Sequence, residues 1–163
     1  MAPKPKEVSV ELLEERIRRD GVVKAGGVLK VDAFLNHQMD IELFSQMAEE
    51  WKRLFAGKPI NKILTIEASG IAPAVMTAQA LDVPMVILKK SKSSILQEGV
   101  IQTEVFSFTK NASYQLTLKA QFVRPGDRVL LIDDFLANGE AAFGGIRLLE
   151  QAGATVAGVG AVI

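Results

Sequence analysis

The sequence predicts an α/β fold with a mainly parallel central sheet flanked by helices. Patterns typical of strands and of helices alternate along most of the 163-residue chain, as they do in α/β domains. Four of the strand-type segments are short, continuous apolar runs, which indicate parallel strands that are buried on both faces. Neither an internal repeat nor a linker divides the chain, so we expect a single domain over residues 1–163.

Two amphipathic helices are predicted in the first third of the chain. The first spans Ser9 to Gly21, with Ser9 as its cap, apolar residues at helical spacing and an Asp-Gly pair at its end. The second begins at Asp40, carries an apolar stripe that includes Trp51, and stops at Gly57.

The rest of the chain supplies the predicted sheet. Lys89 to Gly99 is basic, serine-rich and poor in apolar surface, so we expect a mobile loop there. After it, the alternating segments 103–107 and 114–119 predict an antiparallel pair around residues 110–113. Buried strands are predicted at 63–66, 83–88, 129–132 and 156–163, and helices at 73–81 and 141–151.

Composition excludes several classes of protein. The chain has no cysteine, which excludes disulfides, thiolate nucleophiles and cysteine-bound metals and favours a reducing cytoplasm. Its 19 basic and 19 acidic residues cancel, so no basic surplus predicts a nucleic-acid partner. No apolar run reaches the ~18 residues of a membrane helix, and no apolar stretch follows the basic amino terminus as in a signal peptide. We therefore expect a cytoplasmic protein that binds neither nucleic acid nor membranes.

The segment Val129 to Ala141 carries the strongest chemical signal. A buried strand runs into the adjacent acids Asp133 and Asp134, then into a turn of small residues, then into a helix. Backbone N–H groups at a helix start are unpaired and carry partial positive charge, so this turn can hold a phosphate. Carboxylates beside it can accept hydrogen bonds from sugar hydroxyls or take part in Mg²⁺ coordination. The pattern alone also fits a strand that merely ends in two acids, with Asn138 as a helix cap.

This segment resembles the signature with which type I phosphoribosyltransferases bind phosphoribosyl pyrophosphate (PRPP). Its Asp-Asp-Phe-Leu-Ala-Asn-Gly stretch is similar to the xanthine-using branch of that family, whereas the usual loop carries Thr and paired Gly at the positions of Asn138 and Glu140. The resemblance implies that Asp133 and Asp134 are catalytic residues that face the ribose hydroxyls. It also implies a Mg²⁺ cofactor that is held mainly through PRPP, with no dedicated protein cage. The 5′-phosphate would be held by Ala137, Asn138, Gly139, Glu140 and Ala141.

A second turn, which follows the predicted strand at 63–66, is also built from small residues. By itself it fits an ordinary connection between a strand and a helix. Alongside the first segment it resembles the pyrophosphate loop of the same family, whose backbone N–H groups hold the leaving group of PRPP. The residues at these positions are Glu67, Ala68, Ser69 and Gly70.

The segment that begins at Leu29 is weak as a bare pattern, because Leu29 fits an ordinary core position and Asn36-His37 an ordinary polar turn. It nonetheless resembles the amino-terminal hood of the xanthine-using branch, which implies a small hood at about residues 21–40. The resemblance also implies that Leu29 and Asn36 bind the purine. His37 is the only histidine, which excludes a histidine-built metal site, and a role in acid–base chemistry stays open.

A basic group follows the predicted strand at 83–88. Lys89, Lys90 and Lys92, with serines among them, fit a solvated loop of no special role. They also resemble the loop that closes over PRPP in the family, where lysines offset the diphosphate charge. The resemblance implies that Lys89 binds PRPP and that Lys90 is catalytic.

Over residues 21–163 the resemblance implies a cytoplasmic, homodimeric pentosyltransferase of purine salvage. It would transfer the 5-phosphoribosyl group from PRPP to xanthine, giving xanthosine 5′-monophosphate (XMP) and pyrophosphate. Two alternatives stay open: another purine (guanine, hypoxanthine or adenine), or a regulator on the same fold that binds PRPP without turnover. The apolar run that closes at Ile163 has no stop signal after it, which suggests that part of the domain continues beyond it.

Overall fold

The computed structural model describes residues 8–91, 98–107 and 111–163, and side chains from residue 10 onward within those ranges. The capping side chain predicted at Ser9 lies outside the described residues. So do Lys92, the rest of the predicted loop up to residue 97, and residue 110 of the predicted antiparallel connection.

Helices and strands alternate along much of the described chain. Every described helix is too short or too polar to traverse a lipid bilayer. The first half contains α1 (Val8–Asp20), β1 (Val22–Lys24), β2 (Val28–Lys30), a π-helix (Asp32–Asn36), α2 (Ile41–Leu54), β3 (Lys62–Ile66) and α3 (Ile71–Leu81). The second half contains β4 (Met85–Ser91), β5 (Val100–Ser107), β6 (Ala112–Lys119), a 3₁₀ turn (Ala120–Phe122), β7 (Arg128–Asp133), α4 (Glu140–Gln151) and β8 (Thr155–Ala161).

Six strands form one mixed sheet in the order β5-β6-β4-β3-β7-β8. β4, β3, β7 and β8 run parallel, so their carboxyl ends lie at one edge of the sheet. β6 is antiparallel to both β4 and β5. The antiparallel pairing of β5 with β6 is the one that the alternating segments predict. The predicted α/β class with a mainly parallel sheet flanked by helices is confirmed.

Helices cover both faces of the sheet around β3 and β7, and the sheet divides the core into two clusters. On one face α2 and α3 pack through Phe44 and Ala74 against Ile63. On the other face Leu148 of α4 packs against Leu64. Ile63 and Leu64 are neighbours in β3, and they face opposite ways because side chains alternate along a strand. Burial on both faces is the reason that these strands have continuous apolar sequences.

The chain between α1 and α2 forms a small hood. β1 and β2 pair as an antiparallel hairpin, and the π-helix that follows buries Phe34 and Leu35 completely. Both side chains join the core cluster on the α2 face. The sequence predicts a hood at these residues but not its hairpin, because the two short strands expose most of their side chains and show no alternation of apolar residues.

β4 is longer than the sequence predicts, whereas most other boundaries differ by only a few residues. Lys89, Lys90 and Ser91 each pair with a residue of β6 and belong to the strand. The prediction of a loop is therefore wrong for Lys89 to Ser91. Strand formation here depends on pairing with a segment that is distant in sequence, which the polar composition of these three residues does not reveal.

Candidate active site

The carboxyl ends of β3, β4 and β7 surround a cavity of about 400 Å³, which we call the edge cavity. Ligands of parallel α/β sheets bind at this edge, in the crevice between the loops that follow the strands. The turn from β3 to α3 forms one wall and the turn from β7 to α4 another. The edge cavity thus brings together most residues predicted to contact PRPP: Glu67, Ala68, Ser69, Lys90, Asp133, Asp134, Ala137, Asn138, Glu140 and Ala141.

Two residues with left-handed backbone conformations tighten the turn from β7 to α4. Ala137 has φ +47° and Gly139 has φ +79°, and the Gly139 N–H donates to the Leu136 carbonyl at 2.8 Å. Glycine adopts positive φ readily, whereas alanine does so rarely and only where its surroundings hold it. Gly139 lines a neighbouring apolar cavity rather than the edge cavity, but its turn brings the start of α4 to the edge cavity.

The amino-terminal end of α4 lacks a side-chain cap. Its N-cap residue is Gly139, and no side chain accepts a hydrogen bond there. The hypothesis that Asn138 caps the helix is therefore wrong. The first helical bond runs from the Phe143 N–H to the Gly139 carbonyl at 2.8 Å, so the three N–H groups between them have no helical acceptor. These groups and the partial positive charge of the helix start are available to an anion.

Asp133 and Asp134 lie side by side at the end of β7 and both line the edge cavity. Asp133 is only 8% exposed, and its Oδ1 accepts the Asp134 N–H at 3.0 Å. Burial first, and then the charge of Asp134, raise the pKa of Asp133 to about 7. A buried carboxyl group with a strongly raised pKa at the wall of a cavity is typical of functional sites.

Lys90 brings a positive charge to the same cavity. Its ammonium group opposes the effect of burial on the pKa of Asp133, and it lies 5.5 Å from the centre of the Tyr114 ring. Burial, followed by the charge of Asp133, raises the pKa of Tyr114. Lys90, Tyr114 and Asp133 therefore form one electrostatically linked group.

Lys89 faces the other side of the sheet, because successive side chains of a strand alternate. It lines a separate groove of about 670 Å³ together with Met85 and Ile87. Its ammonium group pairs with Glu67 Oε2 at 3.2 Å. A direct contact between Lys89 and PRPP stays a prediction, while its contact with the turn after β3 is a feature of the structure.

The turn from β3 to α3 is fastened to β4 through Glu67. The Glu67 N–H donates to the Leu88 carbonyl at 3.1 Å, and Glu67 Oε1 accepts the Lys90 N–H at 2.6 Å. This last bond is the main reason that the pKa of Glu67 is lowered. The Glu67 N–H is engaged, whereas the N–H groups of Ala68, Ser69 and Gly70 have no acceptor in the described part of the chain and are available to an anion. The pyrophosphate contact of this turn stays a prediction.

The hood residues predicted to bind a purine do not line the edge cavity. Leu29 is partly buried and packs against the core cluster of the α2 face, while Asn36 is exposed at the end of the π-helix. Phe135 connects the two regions, since it packs against that cluster and also lines the edge cavity. Contacts of Leu29 and Asn36 with a purine stay predictions.

Aromatic residues of β5 and β6 complete the edge cavity, and the sequence analysis misses them. Phe106 and Tyr114 reach it because β6 pairs with β4 at the carboxyl end of that strand. Strand alternation predicts that Tyr114 shares a face with Leu116, but it does not reveal which cavity that face meets.

Within the described ranges, no group of three or more histidine, cysteine, aspartate or glutamate side chains could hold a metal ion. Asp133 and Asp134, two of the acids that line the edge cavity, form a smaller acidic pair, and the charge of Asp134 adds to the raised pKa of Asp133. A divalent cation carried by a phosphorylated ligand fits beside such a pair, because its charge would offset this repulsion.

The fold and the edge cavity together define a class of protein. A parallel sheet edge with two uncapped helix starts around a pair of acids suits a phosphorylated sugar. The family model for the phosphoribosyl transferase domain matches residues 30–163. The chain therefore belongs to the phosphoribosyltransferase family, as its sequence motifs predict.

Curated relatives narrow the comparison. The chain is 53% identical over 154 residues to a xanthine phosphoribosyltransferase of Lactobacillus delbrueckii subsp. bulgaricus, a match that covers 94% of this chain and 82% of that protein. It is 50% identical over 154 residues to a xanthine phosphoribosyltransferase of Streptococcus pneumoniae, covering 94% and 80%. The resemblance to the xanthine-using branch is confirmed at the level of sequence.

Solved structures of adenine phosphoribosyltransferases share the fold. The enzyme from Rhodothermus marinus aligns with a TM-score of 0.74 and 26% identity, over 94% of this chain and 85% of that one. The enzyme from Thermoanaerobacter pseudethanolicus aligns with a TM-score of 0.73 and 22% identity, over 90% and 84%. The predicted type I phosphoribosyltransferase fold is confirmed.

Proposed function

We propose that this protein is a xanthine phosphoribosyltransferase of purine salvage. A nitrogen of xanthine attacks the anomeric carbon of PRPP, the bond from that carbon to the pyrophosphate oxygen breaks, and the attacking nitrogen loses its proton. The products are XMP, pyrophosphate and one proton. Kinship to the xanthine phosphoribosyltransferases supports the choice of reaction. The structural observation that carries it is a pair of uncapped phosphate turns on either side of two acids.

In this proposal each part of PRPP has its own place in the edge cavity. The 5′-phosphate binds the turn from Ala137 to Ala141 through N–H groups other than that of Gly139, where the helix start favours an anion. The ribose hydroxyls donate hydrogen bonds to Asp133 and Asp134. The diphosphate binds the N–H groups of the stretch from Ala68 to Gly70, with Lys90 opposite it.

The chemistry requires stabilisation of charge rather than a protein nucleophile. Positive charge develops on the ribose ring as the carbon–oxygen bond breaks, and negative charge develops on the leaving diphosphate. The carboxylates of Asp133 and Asp134 lie beside the first charge in this arrangement, and Lys90 and the backbone N–H groups lie beside the second. Holding the base and PRPP together supplies a further part of the rate enhancement.

A Mg²⁺ ion bound to the diphosphate of PRPP is part of the proposal, and when bound it would neutralise charge on the leaving group. Asp133 and Asp134 are the residues beside which it would lie, held mainly by the phosphates. The high pKa of Asp133 supports this arrangement, because a buried carboxyl group without a nearby cation is reluctant to ionise.

The purine is proposed to bind between the edge cavity and the hood. Phe135 offers an apolar ring to the face of the base, and Leu29 packs on the same core cluster. Asn36 would supply a polar contact to the edge of the base. Polar contacts of this kind are what allow a site to discriminate among purines of similar size.

A turnover panel tests the proposal directly. The protein is given PRPP and Mg²⁺ with xanthine, guanine, hypoxanthine or adenine, and pyrophosphate release is measured for each base. We expect release that depends on the base, with xanthine the best acceptor, and no release with excess chelator. Equal rates with adenine would contradict the choice of base. Absence of release with all four bases would contradict the reaction itself and favour a PRPP-binding regulator.

The resemblance to the family also supports two further proposals, a homodimer and a cytoplasmic location. Light scattering of the purified protein should give about twice the mass of one chain, which is 17.7 kDa for these 163 residues. A fluorescent fusion should distribute through the cytoplasm. A monomeric mass at micromolar concentration, or a fusion confined to the cell envelope, would contradict the respective proposal.

A further inference from the structure

Two completely buried threonine residues of the described chain differ in one respect. Thr77, in α3, donates its hydroxyl to the Pro73 carbonyl at 2.8 Å. Thr65, in β3, has a hydroxyl oxygen with no hydrogen-bond partner in the described part of the chain. Buried hydroxyl groups of native proteins nearly always have a partner, so the unpaired hydroxyl of Thr65 requires an explanation.

The Thr65 hydroxyl lies beside the buried acid of the edge cavity. A Cβ atom placed on Gly70 would be 2.6 Å from Thr65 Oγ1 and 2.6 Å from Asp133 Oδ1. Both oxygens therefore border the same small space, and that space exists because residue 70 has no side chain. Strand pairing brings the three residues together, since β3 and β7 are parallel neighbours and Gly70 starts α3 just after β3.

We propose that Thr65 is a positioning residue for Asp133, and that Gly70 keeps the space between them open. When a phosphorylated sugar occupies the edge cavity, the Thr65 hydroxyl donates to Asp133 Oδ1 and holds the carboxylate toward the ribose hydroxyls. The inference rests on the proposed function and specifies how the site aligns its buried acid.

The chemistry of the three residues fits this role. A threonine hydroxyl can aim its proton by rotation about one bond, and a small shift of the Asp133 carboxyl group when the ligand binds would bring Oδ1 within reach of it. Asp133 Oδ1 already accepts the Asp134 N–H, and a second donor would favour the charged form that a ribose contact needs. An unpaired hydroxyl in the free protein is then the consequence of a site arranged for its ligand.

Three variants separate this role from simple packing. Thr65→Val keeps the shape of the side chain and removes the hydroxyl, whereas Thr65→Ser keeps the hydroxyl and removes a methyl group. Thr77→Val is the matched control, because it removes a buried hydroxyl that is already paired and lies outside the site. The measurements are kcat and KM for PRPP and for xanthine, ribose 5-phosphate binding by calorimetry, and the melting temperature.

We expect Thr65→Val to melt no lower than the wild type, since it loses no hydrogen bond of the free protein. Its kcat/KM for PRPP should fall about tenfold, the scale of one hydrogen bond to a charged group, with KM for xanthine unchanged. Thr65→Ser should stay within about twofold of the wild type in kcat/KM. Thr77→Val should melt lower and keep wild-type kinetics.

Gly70→Ala provides a second, independent measurement. The added methyl group would meet both oxygens and displace Asp133, so kcat/KM for PRPP should fall at least as far as in Thr65→Val. With the carboxylate already displaced, Thr65→Val should have little further effect in the Gly70→Ala background. Fully additive losses would contradict a shared role.

The outcomes also distinguish this inference from the proposed function. If the wild type turns over xanthine and Thr65→Val does so equally well, the positioning role is wrong and the function stands. If Thr65→Ser loses as much as Thr65→Val, the site needs packing rather than the hydroxyl, and the inference is again wrong. If the wild type has no turnover, the proposed function fails, and the role of Thr65 is then tested by ribose 5-phosphate binding. Unchanged affinity in Thr65→Val would overturn the positioning role. A loss of affinity in Thr65→Val that is absent in Thr65→Ser would support it.

Discussion

The turns after β3 and β7 lie side by side at the sheet edge, yet Glu67 in the first turn and Asp133, which ends β7, have pKa values shifted in opposite directions. Glu67 is 28% exposed, and its pKa is lowered, chiefly by the hydrogen bond from the Lys90 N–H. Asp133 is 8% exposed, and its pKa is raised to about 7, chiefly by burial. Position along the chain explains the difference, since Asp133 ends a strand inside the sheet whereas Glu67 follows one and reaches along β4.

The difference separates an acid that supports the fold from an acid that is available to a ligand. The charge of Glu67 is already paired with groups of β4, so it stabilises the turn in the free protein. The buried carboxyl of Asp133 accepts one backbone N–H and is otherwise short of donors to its charged form. In the proposed function the substrate hydroxyls supply such donors, and a cation bound with the substrate offsets the negative charge.

The largest expected effect is on turnover in Asp133→Asn and Asp134→Asn. Each change keeps the shape of the side chain and removes the charge that is proposed to face the ribose. Steady-state assays should show at least one of the two losing about tenfold or more in kcat/KM for PRPP, because a hydrogen bond to a charged group contributes about 1.5–3 kcal/mol. Asp82→Asn is the control, since Asp82 is an exposed residue with φ +53° at the end of α3, where asparagine is well tolerated. Wild-type kinetics in both site variants would mean that the two acids only end a strand.

Gly139→Ala tests the proposal that the turn after β7 binds the 5′-phosphate. An alanine at position 139 would have to adopt a left-handed backbone conformation, which should lower the free energy of unfolding by about 1 kcal/mol. Gly126→Ala, in a remote turn with φ +87°, should have a similar effect on stability. Calorimetry with ribose 5-phosphate should then reveal weaker binding in Gly139→Ala alone, because the turn of Gly139 borders the edge cavity and the turn of Gly126 does not. Equal binding in both variants would contradict the assignment of the 5′-phosphate.

The stability of Asp133→Asn should depend on pH in a direction set by the raised pKa of Asp133. Between the ordinary value of 3.8 and about 7, the folded protein binds more protons than the unfolded chain. The wild type therefore loses stability as pH rises through this window, and the variant lacks that loss. In melting curves without ligand, the melting temperature of Asp133→Asn minus that of the wild type should increase from pH 4 to pH 8. A difference in melting temperature that is constant with pH would contradict the raised pKa of Asp133.

The smallest effect, and the opposite slope, is expected for Glu67→Gln. The lowered pKa of Glu67 means that its contribution to stability is present above the ordinary value of 4.5 and is lost as pH falls through the folded value. The wild type should melt slightly higher than Glu67→Gln at pH 7, and the difference should vanish in acid. It should be small, because the pair with Lys89 is exposed to solvent. The same slope for Glu67→Gln and Asp133→Asn would remove the distinction between the two turns.

Much of the fold follows from local patterns in the sequence. The parallel strands are predictable because burial on both faces requires continuous apolar runs such as that of β7. Small residues between a strand and a helix mark the turns after β3 and β7, and the acids at 133 and 134 mark the sheet edge where these turns lie. The family resemblance rests on these same segments, which is why the sequence alone leads to the correct family.

Other features depend on which strands become neighbours, and the tertiary structure alone decides them. Pairing of β4 with β6 turns Lys90 toward the edge cavity and Lys89 away from it, although the two are adjacent and chemically identical. Pairing of β3 with β7 places the Thr65 hydroxyl near Asp133 and buries that acid, which raises its pKa. Local propensities act over a few residues, whereas these contacts join segments that are dozens of residues apart. The sequence by itself therefore determined which chemical groups are present, and the packing of the sheet decided their surroundings and their pKa values.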